Sequence, residues 1–160
     1  SELTARIRAA RQYPQFMRLM ARTATGYPVA LGFRGQLATG HEGDPPGKLD
    51  LKRGAIIPLV NLVRFHALAA GVTISPTLDR IEAVASVGQL DRATADALRE
   101  AFVMINGIRF DHHAAQVQAG VTPDNLIDPE KLAPIARTDL REALHVVWRA
   151  QKRIGAWSPP

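Results

Sequence analysis

The sequence predicts an all-α fold, an up-and-down bundle of five or six helices with a small two-stranded β-ribbon between the first helix and the central one. Three observations carry this. Apolar residues recur every three to four positions over most of the chain. Residues 54–70 are apolar nearly all round, as suits a helix at the centre of a bundle. The turn formers Gly and Pro crowd into one stretch, residues 25–51, too densely for any helix there. With 160 residues, 46% of them hydrophobic, the chain reads as a single domain over 1–160 whose core needs neither disulfide nor metal.

The elements follow in order. From Leu3 to Thr23 the spacing is helical, and Pro14 sits where a second helix begins at its first turn. Val29–Phe33 and Lys48–Leu51 are short apolar stretches that form the ribbon, with a flexible tip at His41–Pro46. The central helix absorbs Pro58 in its first turn and stops at Gly71. Ser75-Pro76 reads as an N-cap and first helical residue, and that helix stops at Gly88. Asp91 caps the longest helix, Arg92 to about Ala119. Asp128-Pro129 starts a short turn, and the last helix, Pro134 to Ile154, carries Leu140, Leu144, Val147, Trp148 and Gln151 on its inner stripe. Trp157 and Pro159-Pro160 form a tail.

Composition narrows the function. No cysteine is present, which removes thiolate catalysis, disulfides and cysteine metal sites. No apolar run approaches the roughly 18 residues of a membrane span, and the first residues lack an apolar signal core, so a cytoplasmic location is expected. The 20 Lys+Arg exceed the 15 Asp+Glu, almost wholly through Arg, whose planar fork suits phosphate and carboxylate. There is no Walker-type loop, dinucleotide fingerprint, zincin pair or nucleophile elbow. Nor does an Asp-x-Asp pair follow a Gly-Ser turn, the arrangement that holds two magnesium ions for nucleotidyl transfer.

The candidate site residues are charges set into apolar stripes. On the long helix, steps of three and four from Leu98 reach Phe102, Ile105, Arg109, His112 and Gln116, so one face turns from core to cation, imidazole and amide. His112 and His113 point about 100° apart and do not share a metal ion. Arg64 stands between Val60 and Leu68 on the central helix. Asp50 and Lys52 alternate with Leu49 and Leu51, which puts both charges on one side of an extended segment, with a local salt bridge as the simpler reading. Arg80 lies near the start of its helix. An arginine in an apolar stripe requires either an opening to an anionic ligand or an internal carboxylate.

These residues also resemble a family. The run Leu49 to Leu68, with Asp50, Leu51, Lys52, Gly54, Pro58, Val60 and Arg64, is similar to the D-L-K-x-G signature and following helix of the nucleotidyltransferase substrate-binding domain. Thr77 to Ile81, Glu100-Ala101-Phe102, Ile108-Arg109 with His112, and Pro123 to Pro129 resemble its further motifs in order, whereas Asp111 and His113 depart from it. In that family the domain is the helical C-terminal part of bacterial signalling proteins that also carry a cyclic-nucleotide-binding module, a pair of CBS domains and a catalytic nucleotidyltransferase domain. The resemblance implies a non-catalytic bundle, a fragment of a longer protein, that covers its neighbour's active site and helps to hold a nucleotide or an acceptor. No cofactor belongs to this chain, and Mg2+ and a nucleoside triphosphate are expected in the neighbouring domain.

In that reading Lys52, Arg64, Arg80 and Arg109 form a basic wall for triphosphate or for the catalytic domain, Asp50 belongs to the same site, and His112 is a hydrogen-bonding neighbour. Asp50 with Lys52, Arg64, and Arg109 with His112 are expected to converge at one end of the bundle. The alternative is an interdomain docking module in which the same charges are internal struts, paired with carboxylates among Asp50, Glu82, Glu100 and Asp111. An RNA-directed bundle is a third reading, disfavoured by the Arg/His spacings and the scarcity of aromatic residues, 6% of the chain.

Overall fold

Pro14 divides the N-terminal apolar segment into two helices, α1 (Glu2–Ala10) and α2 (Pro14–Gly26), because a proline is tolerated in a first turn and not in a helix interior. The computed structural model describes residues 2–156, and among them α3 (Ile57–Ala70), α4 (Thr77–Ser86), α5 (Arg92–Gln118) and α6 (Pro134–Gly155) complete a six-helix fold. The expected tail at Trp157 and Pro159-Pro160 lies outside the described residues. The all-α class is therefore as the sequence predicts.

The helix ends follow local chemistry. Gly71 and Gly88 close α3 and α4 in the left-handed conformation, φ 71° and 74°, which a side chain adopts only with strain. Asp91 caps α5 by accepting from the Thr94 N–H at 2.9 Å and the Thr94 hydroxyl at 2.7 Å. Ser75 does not cap α4: the helix starts one residue later, Pro76 occupies the cap position, and no side chain bonds the free N–H groups there.

The core is built around α3, which packs on α2, α4 and α6, while α5 lies along α6. Leu59, Leu62, Val63 and Phe65 of α3 meet Ile81 and Val84 of α4, Leu98 and Ile105 of α5, and Leu140, Leu144 and Val147 of α6, all buried. Gln151 is buried as well, and its amide donates to the carbonyls of Ala24 and Tyr27, both at 2.9 Å, tying α6 to the end of α2. Trp148 is not on the inner stripe: it is 44% exposed, with the Lys152 ammonium 5.5 Å from its ring centre.

The two-stranded sheet is present with a different partner. β1 (Leu49–Asp50) pairs antiparallel with β2 (Leu126–Ile127), in the register Leu49 to Ile127 and Asp50 to Leu126. Residues 29–33 instead fold back on residues 36–38, through a single bridge between Leu31 and Leu37. Ala30 is then held to the central helix, its N–H donating to the Gly54 carbonyl at 2.8 Å.

Candidate functional site

Asp50 ends β1, and its carboxylate turns back on the chain. Oδ1 accepts from the N–H groups of Lys52 at 2.8 Å and Arg53 at 2.9 Å, capping the π-helical turn Lys52–Ile56 that leads into α3. Lys52 therefore lies in a helical turn and not in an extended segment, the expected Asp50–Lys52 salt bridge is absent among the described residues, and the exposed Lys52 side chain has no carboxylate partner there. Arg53 has the local ion pair instead, with the mostly buried carboxylate of Asp44, and that pair pins the tip of the irregular region to the start of the central helix.

Arg109 and His112 meet the same corner through one loop. The Arg109 Nε–H donates to the Asn125 side-chain oxygen at 2.7 Å, and His112 Nε2 lies 3.0 Å from Asp124 Oδ1. One turn further along α5, the Gln116 side-chain oxygen accepts from the Asp124 N–H at 2.9 Å. The Asn125 carbonyl then accepts from the Leu51 N–H at 2.9 Å, and Leu126 pairs with Asp50. The polar half of the α5 stripe thus grips residues 124–126, and these residues hold β1. Asp124 and Asn125 carry this link. Sequence analysis assigned them no individual role, and their signal there is the resemblance of Pro123 to Pro129 to a family motif.

The Asp124 carboxyl is held below its ordinary value of 3.8, first by the hydrogen bond to His112 and then by the N–H of Leu126 and by Gln116. A lowered carboxylate pKa stabilises the fold above the ordinary value, and that contribution is lost as the pH falls through the lowered one. The melting-temperature advantage of the native chain over Asp124→Asn is therefore expected to persist at neutral pH and to shrink only below about pH 4. An advantage that shrank between pH 7 and 5 would contradict this.

Arg64 and Arg80 form the second group. Arg64 is exposed on α3, its Nη1 donating to Asn61 Oδ1 at 3.1 Å. Arg80 is half-buried at the start of α4, where its Nε–H bonds the Ile74 carbonyl at 2.8 Å. Burial lowers the Arg80 pKa, and the positive charge of Arg64 lowers it further. Among the described residues, neither arginine, nor Lys52, nor Arg109, has a carboxylate within ion-pair distance, and Glu82 is engaged by Arg92. The expected internal struts to Asp50, Glu82, Glu100 and Asp111 are thus not formed. The reason is that Arg109 is satisfied by a neutral amide and Arg64 opens to solvent. Two residues after Arg64, His66 is mostly buried and held neutral, its pKa pushed down to about 4, and its Nδ1 has no hydrogen-bond partner among the described residues.

The six candidates therefore fall into a corner, with Asp50 and Lys52 joined to Arg109 and His112 through residues 124–126, and a pair, Arg64 with Arg80. No hydrogen bond or ion pair connects the pair to the corner among the described residues. On the other side of β1 the irregular region encloses a cavity of about 400 Å³, lined by Tyr27, Val29, Leu31 and Leu49 with Asp50 and Arg53 at its polar edge. That volume falls in the range of small-ligand sites. The described residues contain no cluster of three side chains able to hold a metal ion, and no helix is long and apolar enough to cross a membrane.

Comparison with protein families gives a match over residues 14–156 to the model described as "Putative nucleotidyltransferase substrate binding domain". The chain belongs to this family. The match runs from the first residue of α2 to the residue after α6, so it takes in both site groups and the cavity of this nucleotidyltransferase substrate-binding domain. No curated protein and no solved structure gave a match.

Proposed function

We propose that this substrate-binding domain is the non-catalytic part of a bacterial, cytoplasmic nucleotidyltransferase, that it packs on a catalytic domain of the same polypeptide, and that it helps to hold the nucleotide or its acceptor. Mg2+ and the nucleoside triphosphate bind to the catalytic neighbour, and the wider protein is a signalling protein with cyclic-nucleotide-binding and CBS modules. The observation that carries the reading is the Arg64–Arg80 pair, two guanidinium groups near enough for the charge of one to lower the pKa of the other, neither with a carboxylate within ion-pair distance among the described residues. Adjacent cations repel, and a phosphate anion relieves that repulsion while accepting charge-assisted hydrogen bonds. Lys52, whose ammonium has no carboxylate partner among the described residues, adds a positive charge at the corner. Asp50, Arg109 and His112 serve differently: they set the backbone of the 124–126 loop and the start of α3, and so act as positioning residues.

The test is calorimetry on the full-length protein with Mg2+ and each of the four ribonucleoside triphosphates in turn. Arg64→Ala and Arg80→Ala are each expected to weaken the tightest of these by tenfold or more, since a hydrogen bond to a charged group is worth about 1.5–3 kcal/mol. Arg64→Lys should recover only part of the loss, because the ammonium lacks the fork. Unchanged affinity in folded variants would remove the phosphate role.

A further inference from the structure

We propose that the outer face of α5 joins two copies of this chain as an antiparallel helix pair, with Phe110 of each copy seated on Gly107 of the other. Gly107 lies in the middle of a 27-residue helix. It is exposed, and a Cβ placed there would meet no atom within 4 Å. A glycine in a helix interior costs about 1 kcal/mol relative to alanine, and no contact within this chain explains it.

Around this glycine the surface is apolar. Val103, Phe110 and Val117 are 54%, 62% and 63% exposed, and Ala114 is exposed between the last two. The order Val103, Gly107, Phe110, Ala114, Val117 steps by four, three, four and three residues, the spacing of a seam that another helix covers. This face is on the far side of α5 from Leu98, Ile105, Arg109 and His112, so the core and the grip on residues 124–126 leave it unused.

The face also fits itself. Val103 and Phe110 are the same seven residues apart as Gly107 and Ala114. Turning a second copy antiparallel so that its Phe110 covers Gly107 therefore brings its Val103 over Ala114, and the two-fold axis repeats both contacts. Phe110 and Val103 thus each meet a small residue, and at the ends of the seam Val117 lies beside Glu100 of the other copy. The same register puts Asp111 beside Asn106 of the other copy and His113 beside Met104, so no like charges oppose each other. A contact about 20 Å long is at the small end of specific interfaces, which implies a reversible dimer with a dissociation constant on the order of tens of micromolar.

Sedimentation of this chain from about 1 to about 300 µM tests it. The mass-average is expected to rise from 17.4 kDa toward twice that value. Gly107→Leu raises helix propensity while filling the notch, so it should melt no lower than the native chain and yet stay monomeric. As the chain has no cysteine, mixing Val103→Cys with Ala114→Cys copies should give chiefly the mixed disulfide. A mass that stays at 17.4 kDa over the range, dimerisation of Gly107→Leu at native strength, or a dominant 103-to-103 link would each overturn the proposal. None of the three residues belongs to either site group, so neither outcome bears on the nucleotide reading.

Discussion

Replacing Phe65 by alanine is expected to remove about 3–5 kcal/mol of stability, the largest single loss in the molecule. The ring is 1% exposed at the middle of α3, the helix that α2, α4 and α6 share. It also stands edge-on to His66, with ring centres 5.4 Å apart and planes at 74°. Truncation leaves a cavity that several helices would have to move together to fill, so relaxation recovers little. At this chain length the loss corresponds to a fall in melting temperature of about 6–20 °C. Phe65→Leu, which keeps most of the volume, should cost about 1–2 kcal/mol. Chemical denaturation of the three proteins checks the order. A cost below about 1 kcal/mol for Phe65→Ala would mean that the core is not organised around α3.

Gly54→Val is the second, with an expected cost of about 1–3 kcal/mol, at a position where helix propensity alone favours the larger residue. A Cβ at Gly54 would stand 2.7 Å from the Ala30 Cβ, while the Gly54 carbonyl accepts the Ala30 N–H at 2.8 Å. The valine must push residues 29–31 away, and those residues form one wall of the cavity beside β1. Coupling identifies the cause. Ala30→Gly removes the opposing methyl, so the double variant should be less destabilised than the two single costs predict, and full additivity would contradict the close approach.

Much of the architecture was legible because it is local. Pro14, Gly71, Gly88 and Asp91 mark helix ends through φ preference or a cap bond made within four residues. Where a local reading failed, a neighbouring residue set the backbone instead. Ser75 gave way to Pro76 at the α4 cap, and Lys52 lost its place in an extended segment because the Asp50 carboxylate caps the backbone there. Trp148 satisfies the helical period at an edge that α6 does not bury, since Lys152 and solvent meet it instead.

The charged stripes divide along the same line. Their positions on α3 and α5 can be read from a step of three or four residues, and so can the need of each arginine for a partner. The partner cannot when it is distant, because Arg109 finds Asn125 across a loop and His112 finds Asp124, whereas Arg64 bonds Asn61 one turn back on its own helix. By itself, then, the sequence determined the helical class, the helix ends and which faces carry charge, since periodicity and capping act over one or two turns. Only the tertiary structure decided that Leu49 pairs with Ile127, that the Asp50 carboxylate caps the turn before α3, and that Arg109 is braced by a loop while Arg64 opens to solvent. Those outcomes depend on which distant segments compete for the same hydrogen bonds, and that competition is settled only when the core packs.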